Sequence, residues 1–91
     1  MLFTIIYKDI KCNMNIEKTD SLKEIKQTFI LTHNLNIPIE KLLSWNDGNT
    51  PLVNNKMNLI DYNMWYENIT IYFGDKYPEE VQKILPCYFR N

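Results

Sequence analysis

Residues 2–29, LFTIIYKDIKCNMNIEKTDSLKEIKQTF, carry the pattern that decides the fold. The run from residue 2 to residue 8 is apolar on both faces, which is typical of a central strand in a mixed sheet. After a reversal at Asp9-Ile10, apolar and polar residues alternate with a period of two up to Glu17. This alternation indicates a strand that is buried on one side only. The stretch therefore begins with a predicted β-hairpin.

A helix is predicted directly after the hairpin. Ser21 and Glu24 have the spacing of a capping box, and Asp20 is an alternative cap. The apolar residues that follow share one helix face, at positions i, i+3 and i+7: Leu22, Ile25 and Phe29. The pattern fades near residues 32–34, and Ile37-Pro38 cannot continue it. We expect a helix of about 12–13 residues that crosses one face of the sheet.

The second half of the chain predicts three more strands. Residues 41–45 form a short apolar strand, and residues 46–49 form a turn in which Asp47-Gly48 supplies positive φ angles. Residues 52–53 are a short partner strand, and residues 68–73 alternate again as a closing strand. The predicted order is β-β-α-β-β-β, which is a mixed sheet of the α+β class.

The pattern changes after Gly74, so we divide the chain into a domain at 1–74 and an extension at 75–91. Pro78, Glu79 and Glu80 are suited to a helix start. The next apolar residues form a small stripe: Val81, Ile84 and Leu85. Two helical turns are not stable alone in water, so this stripe must cover a surface of its own domain or of a partner.

Composition excludes several functional classes. The net charge of −1 gives no basic surface for nucleic acid, and no apolar run approaches the ~20 residues of a membrane span. Cys12 and Cys87 form no CxxC motif, so we expect no metal, cofactor or iron–sulfur centre; free thiols are favoured over a disulfide. His33 fits a contact at a helix end, and no nucleophile–base pair or phosphate loop is apparent. We therefore expect neither an enzyme nor a small-molecule substrate.

Five short motifs, in order, resemble the ubiquitin-like β-grasp family over about residues 1–73. They are Thr19-Asp20-Ser21-Leu22 with Ile25 and Phe29, Ile37-Pro38, Leu43-x-Trp45 before a Gly turn, Leu52, and Leu59-x-Asp61-Tyr62-Asn63. The resemblance implies the ubiquitin-like fold. It also implies that the Tyr62 hydroxyl bonds back to a loop backbone and pins an irregular connection.

The chain departs from conjugated members of the family at two places. Phe73-Gly74-Asp75 stands where those members end in Gly-Gly, and the chain continues to Asn91, so we expect no conjugation without processing. In the apolar receptor-binding patch of ubiquitin, the Ile position falls at Ser44 and the Val position at Tyr72, while the Leu lies in a hairpin loop that is shorter here. The short hairpin and the extension are similar to elongin B-type subunits, which are not conjugated.

Aromatic residues are the candidates for partner contact. Trp45 is predicted to fill the core, whereas Trp65 and Tyr66 are adjacent in a loop, where two neighbouring side chains rarely both bury. The predicted partner-binding residues are Trp65, Tyr66, Tyr72, Val81, Ile84, Leu85, Tyr88 and Phe89.

The leading hypothesis is an accessory subunit of a larger protein complex. The sequence has no alanine, one arginine against nine lysines, and twelve asparagines, which indicates an AT-rich genome. With no leader apparent before the first strand, we expect an organelle-encoded subunit of a mitochondrial respiratory or ribosomal assembly, and otherwise a cytoplasmic protein. One alternative is a cytosolic adaptor or modifier of the ubiquitin pathway. Another is a host-directed interaction protein of a virus or parasite.

Overall fold

The computed structural model describes residues 1–88. Its elements in chain order are strands β1 (Leu2–Tyr7) and β2 (Ile10–Asn15), helix α1 (Leu22–Thr32), strands β3 (Leu43–Asn46) and β4 (Thr70–Gly74), and helix α2 (Glu79–Ile84). Two 3₁₀ turns complete the list: Ile39–Lys41 lies between α1 and β3, and Leu85–Tyr88 directly follows α2. The sheet has the order β2-β1-β4-β3; β1 and β4 are parallel, and the other two pairs are antiparallel.

The predicted hairpin is confirmed, and its register decides which face of the sheet each side chain occupies. Tyr7 pairs with Ile10, and Lys8, at φ 54°, begins the two-residue turn. Alternate residues of β1 face α1 and are buried, including Phe3 and Ile5. The residues between them face the opposite, outer side of the sheet, as does Ile6.

The predicted capping box of α1 is also confirmed. The Ser21 hydroxyl accepts from the Glu24 amide at 3.2 Å, and the Glu24 carboxylate accepts from the Ser21 amide at 3.2 Å. The amides of Leu22 and Lys23 would remain unpaired in an isolated helix, but they donate to loop carbonyls of residues 57 and 55 at 2.9 Å each. The helix start is therefore held by a loop that lies more than thirty residues further along the chain.

The end of α1 is a Schellman motif, which the sequence pattern did not predict. His33 is the C-cap, and Asn34 follows in the left-handed region at φ 52°. The Leu35 amide donates to the Ile30 carbonyl at 3.0 Å, and the Asn34 amide donates to the Leu31 carbonyl at 3.4 Å. Asparagine tolerates this conformation better than most residues, so Asn34 stops the helix four residues before Pro38.

The core lies between α1 and the inner face of the sheet. Phe29 is buried at its centre, with its ring 5.1 Å from that of Phe73, 6.0 Å from that of Tyr7 and 4.5 Å from that of His33. Other fully buried side chains come from every part of the domain: Ile16, Leu22, Ile25, Leu42, Leu52, Leu59, Met64 and Ile71.

The predicted strand at residues 52–53 is wrong. Pro51 forms a single isolated bridge with Trp45, flanked by one bond from the Asn46 amide to the Thr50 carbonyl and one from the Leu52 amide to the Ser44 carbonyl. Proline has no amide hydrogen, and the Thr50 amide donates to the Asn46 side chain at 3.0 Å, so a ladder cannot extend in either direction. The sheet therefore has four strands rather than five. The positive φ of this turn, 59°, belongs to Asn49 and not to Gly48.

The role predicted for Tyr62 is confirmed. Its hydroxyl accepts from the Asn54 amide at 2.7 Å and donates to the Asn54 carbonyl at 2.9 Å. Burial, as the main cause, raises the pKa of this phenol. Residues 52–58 belong to no strand ladder, so these two bonds between Tyr62 and Asn54 help to hold the segment against the domain.

One lysine is buried beneath the same loop. Lys26 is 2% exposed, and its Nζ donates to Asn55 Oδ1 at 2.8 Å. An amide oxygen carries no compensating charge, so burial lowers the Lys26 pKa to about 8. The helix is thus tied to the loop at Asn55 through both a backbone and a side-chain bond.

Candidate functional site

Three aromatic side chains, Trp45, Tyr72 and Tyr77, form a cluster on the outer face of the sheet, which we call the outer aromatic patch. Trp45 on β3 pairs with Tyr72 on β4 in the ladder, and their rings stack with centroids 6.1 Å apart and planes within 9°. Tyr77 contacts the Trp45 ring edge-on at 5.8 Å. All three side chains are half-buried, and Ile6 adjoins Tyr72 across the β1–β4 ladder.

Gly74 makes room for this patch. A Cβ atom at Gly74 would lie 2.8 Å from Trp45 Cη2, and real Cβ atoms essentially never come so close to a non-bonded atom. Glycine inside a strand often marks a close approach of this kind, so the residue is the sequence signal for the patch. The indole therefore lies across the end of β4 because that strand ends without a side chain.

Replacing Gly74 by alanine is expected to displace the Trp45 indole and to lower the free energy of unfolding by about 0.5–1.5 kcal/mol, because the ring must leave its preferred side-chain rotamer. Gly48→Ala is the matched control, because its Cβ would meet only Asn46 Oδ1 at 3.4 Å and its φ is not positive. The control should change stability by less than about 0.5 kcal/mol. Urea unfolding and the indole N–H resonance of Trp45 measure both effects; equal behaviour of the two variants contradicts the steric role.

Charged groups surround the outer aromatic patch but do not enter it. The Asp47 side chain, through its interaction with the Tyr72 hydroxyl, is the main cause that raises the pKa of Tyr72. Burial raises the pKa of Tyr77. Lys8 and Asp75 form an exposed ion pair at 3.0 Å, and the Asp75 side chain raises the Lys8 pKa. Both phenols of the patch therefore stay neutral near pH 7.

The structure corrects two predictions for β3. Ser44 faces the core and is fully buried, with its hydroxyl donating to the Leu52 carbonyl at 3.3 Å. Trp45 faces outward and does not fill the core. Alternation along a strand requires this result, because a buried residue 44 places residue 45 on the other face. The residue that lies beside Tyr72 on the outer face is consequently Trp45 and not Ser44.

Trp65 and Tyr66 lie away from the outer aromatic patch. The Trp65 ring packs on the inward-facing Phe3 at 5.5 Å and is half-buried, whereas Tyr66 is 56% exposed. Together with Lys18, Ile60 and Asn63 they line an open depression of about 390 Å³. The two neighbouring rings do not both bury, as expected for a loop, and their contact with a partner stays a prediction.

The extension contacts the rest of the chain at Asp75, which pairs with Lys8, and at Tyr77, which packs on Trp45. Val81 is completely buried, so its side chain is not available to a partner in this conformation, contrary to its place among the predicted contacts. Ile84 stays 38% exposed, and Leu85 is half-buried. The predicted contacts of Phe89 and of the Tyr88 side chain lie outside what the structure describes.

The described part of the chain contains no metal site, no disulfide and no helix that could span a membrane. Within residues 1–88, no three histidine, cysteine or acidic side chains converge as metal ligands. Cys12 and Cys87 are both free, and burial raises the Cys12 pKa. None of the described helices combines the length and apolar character needed to cross a bilayer.

Solved structures resemble this one in fold. The NMR structure of the ubiquitin-like domain of the Arabidopsis thaliana protein At2g32350 has a TM-score of 0.68 at 18% identity, covering 80% of this chain and 73% of that chain. A second structure of that protein, from evolutionary couplings and sparse NMR data, has a TM-score of 0.69 at 17% identity, covering 90% and 93%. The chain has the ubiquitin-like β-grasp fold. No family model and no curated protein matches the sequence.

The ubiquitin-like fold confirms the predicted α+β class and the family resemblance at the level of structure. Domains with this fold are typically non-catalytic modules of protein–protein interaction. At less than 20% identity the likeness concerns the fold alone. The similarity to elongin B-type subunits therefore stays a prediction.

Proposed function

We propose that this protein is a ubiquitin-like accessory subunit that binds a protein partner through the outer aromatic patch. The observation that carries the proposal is the Trp45–Tyr72 stack, which lies on the outer face of the sheet instead of in the core. Tryptophan and tyrosine are enriched among the residues that dominate interface energies, because they bury a large area with few rotatable bonds. Because Gly74 has no side chain, the indole has room to lie across the end of β4.

The proposed setting is a multi-subunit assembly, and the composition supports a mitochondrial one. A chain without alanine and with twelve asparagines is typical of a strongly AT-rich coding sequence, as found in organellar genomes. We propose a respiratory or ribosomal complex on that ground. The partner would be a protein subunit, held by an aromatic surface that carries no excess of basic charge.

The test compares two aromatic truncations in the tagged protein purified from its native source. Trp45→Ala should lower the affinity for the copurifying complex by tenfold or more, because a central aromatic contact contributes about 2 kcal/mol or more. Tyr66→Ala removes an exposed aromatic side chain from another surface and should leave the complex intact. Circular dichroism confirms that both variants fold.

Three results would overturn the proposal. A wild-type protein that elutes as a free monomer excludes a stable subunit. A complex that survives Trp45→Ala and is lost with Tyr66→Ala places the interface at residues 60–66. Mass spectrometry that finds isopeptide adducts ending at Gly74 supports the alternative, a cytosolic modifier of the ubiquitin pathway.

A further inference from the structure

The two strands that carry Trp45 and Tyr72 are not open to an added strand. Strand β4 is paired on both sides, with β1 and with β3. On the other side of β3, the Asn46 amide donates to the Thr50 carbonyl at 3.1 Å. The Ser44 carbonyl accepts there from the Leu52 amide at 2.9 Å. A partner of the outer aromatic patch must therefore contact side chains rather than pair with the backbone.

The rings of the patch combine aromatic surface with one polar donor. The Trp45 and Tyr72 rings have planes within 9° of each other and centroids 6.1 Å apart. Tyr77 bounds the Trp45 ring on one side, with its plane tilted by 64°. Residues 1–88 supply no acceptor to the Trp45 indole N–H, and its nitrogen is not buried. A partner that covers the indole therefore has to bring an acceptor of its own.

These two features distinguish between the conformations that a partner segment could have. An α-helix laid across the patch uses its carbonyls internally, so it would leave the indole N–H unpaired. A polyproline II segment forms no internal hydrogen bonds, and every carbonyl is free to accept. Its rise is about 3.1 Å per residue, so residues two positions apart are separated by about 6 Å along the axis. This distance matches the spacing of the Trp45 and Tyr72 rings.

The charge beside the patch favours a basic residue in the segment. Asp47 is exposed, interacts with the Tyr72 hydroxyl and forms no ion pair within residues 1–88. Lys8 and Asp75 already pair with each other at 3.0 Å. A guanidinium can form charged hydrogen bonds with the Asp47 carboxylate, whereas an acidic side chain would be repelled.

We propose that the partner of the outer aromatic patch presents a proline-rich segment in the polyproline II conformation, followed by an arginine. Its proline rings lie on Trp45 and Tyr72, one of its carbonyls accepts from the indole N–H, and its arginine pairs with Asp47. Such a segment is extended before it binds, so it loses little conformational entropy on an aromatic surface. This inference rests on the proposed protein-binding role of the patch and adds the chemical class of the partner.

The test is an NMR titration of the full, isotope-labelled chain with the synthetic peptide PPVPPRPP, capped at both ends. The peptide should shift the indole N–H resonance of Trp45 and the amide resonances of β3 and β4, and the titration gives the Kd. A control peptide with alanine in place of every proline has the same length and charge. It should bind at least about tenfold more weakly, because it must lose more conformational freedom on binding.

Matched variants test the indole and the charge separately. Trp45→Phe keeps an aromatic ring but removes the N–H donor, and it should weaken peptide binding about tenfold. Trp65→Phe is the same change away from the patch, so it should bind within about twofold of wild type. Asp47→Asn should weaken binding of the arginine peptide about threefold. It should leave binding of a peptide with glutamine in place of arginine unchanged.

The inference is overturned if the alanine peptide binds as well as the proline peptide, or if Trp45→Phe and Trp65→Phe bind alike. It is also overturned if ultracentrifugation shows a dimer that Trp45→Ala dissociates, because a second copy then covers the patch. A failed titration beside a native complex that still depends on Trp45 overturns this inference alone. Normal peptide binding beside a native complex that survives Trp45→Ala overturns only the proposed subunit interface.

Discussion

Replacing Phe29 by alanine is expected to lower the free energy of unfolding by about 3–5 kcal/mol, far more than the loss of an exposed side chain would cost. Phe29 is completely buried, and its ring touches those of Tyr7, Phe73 and His33. Alanine leaves a cavity between α1 and the sheet that rigid β-strands cannot close. Since small domains are stable by only about 5–15 kcal/mol, the midpoint of thermal unfolding should fall by at least about 12 °C.

Leu31→Ala on the same helix is the matched control. Leu31 is 77% exposed, so its truncation should change the free energy of unfolding by less than about 0.5 kcal/mol. If Phe29→Ala does not fold, Phe29→Leu keeps most of the volume and should cost about 1–1.5 kcal/mol. Urea unfolding followed by circular dichroism measures all three variants. A loss below about 1.5 kcal/mol for Phe29→Ala would show that the core can collapse around the site.

Replacing Lys26 by methionine is expected to stabilise the protein at pH 7 by about 2 kcal/mol. The lysine is buried without a charged partner, and burial lowers its pKa from the ordinary 10.5 to about 8 in the folded chain. Below pH 8 the folded protein therefore retains an ammonium group at a cost that the unfolded chain does not bear. Methionine fills nearly the same volume and carries no charge.

The pH dependence of this difference follows from the direction of the pKa shift. Between about pH 8 and pH 10.5 the unfolded chain still binds the proton that the folded chain has released, so the wild type gains stability as pH rises. The advantage of Lys26→Met should therefore shrink across this window. Three tyrosines have raised pKa values, which lower the stability of the folded protein as pH rises. Their contribution is the same in both proteins, so it cancels in the difference between Lys26→Met and wild type.

Lys26→Arg provides the control for this interpretation, because a guanidinium cannot lose its proton in the same range. It should be less stable than wild type and should show no gain above pH 8. Urea unfolding at intervals from pH 7 to pH 9.5 gives the free energies. A constant difference between Lys26→Met and wild type over that range would mean that Lys26 titrates alike in the folded and unfolded chains.

Local features of the fold were predictable from the sequence wherever neighbouring residues alone decide the conformation. The hairpin follows from a period-two pattern, and the start of α1 follows from Ser21 and Glu24. Tyr62 was predictable through the family resemblance, and the structure confirms its two bonds to Asn54. Asn34 carried a usable signal as well, since asparagine is common in the left-handed region at a helix end.

The candidate site was much less predictable. Trp45 was predicted in the core because hydrophobicity and size do not indicate which face of a strand a residue occupies. A shift of one residue in the register reverses that assignment, and the pairing with β4 decides it. Val81 illustrates the same limit, because only the folded chain shows whether a short apolar stripe has a surface of its own to cover.

The sequence by itself determined the first hairpin, the start of α1 at Ser21 and the α+β class of the fold. These properties depend on contacts between residues close in the chain, so a local pattern is sufficient to specify them. Tertiary structure alone decided that the sheet has four strands, that Ser44 faces inward while Trp45 faces outward, and that Lys26 is buried beneath Asn55. Each of these depends on groups brought together from distant parts of the chain. The fold of residues 2–29 can therefore be predicted from the sequence, whereas the surface that this fold presents cannot.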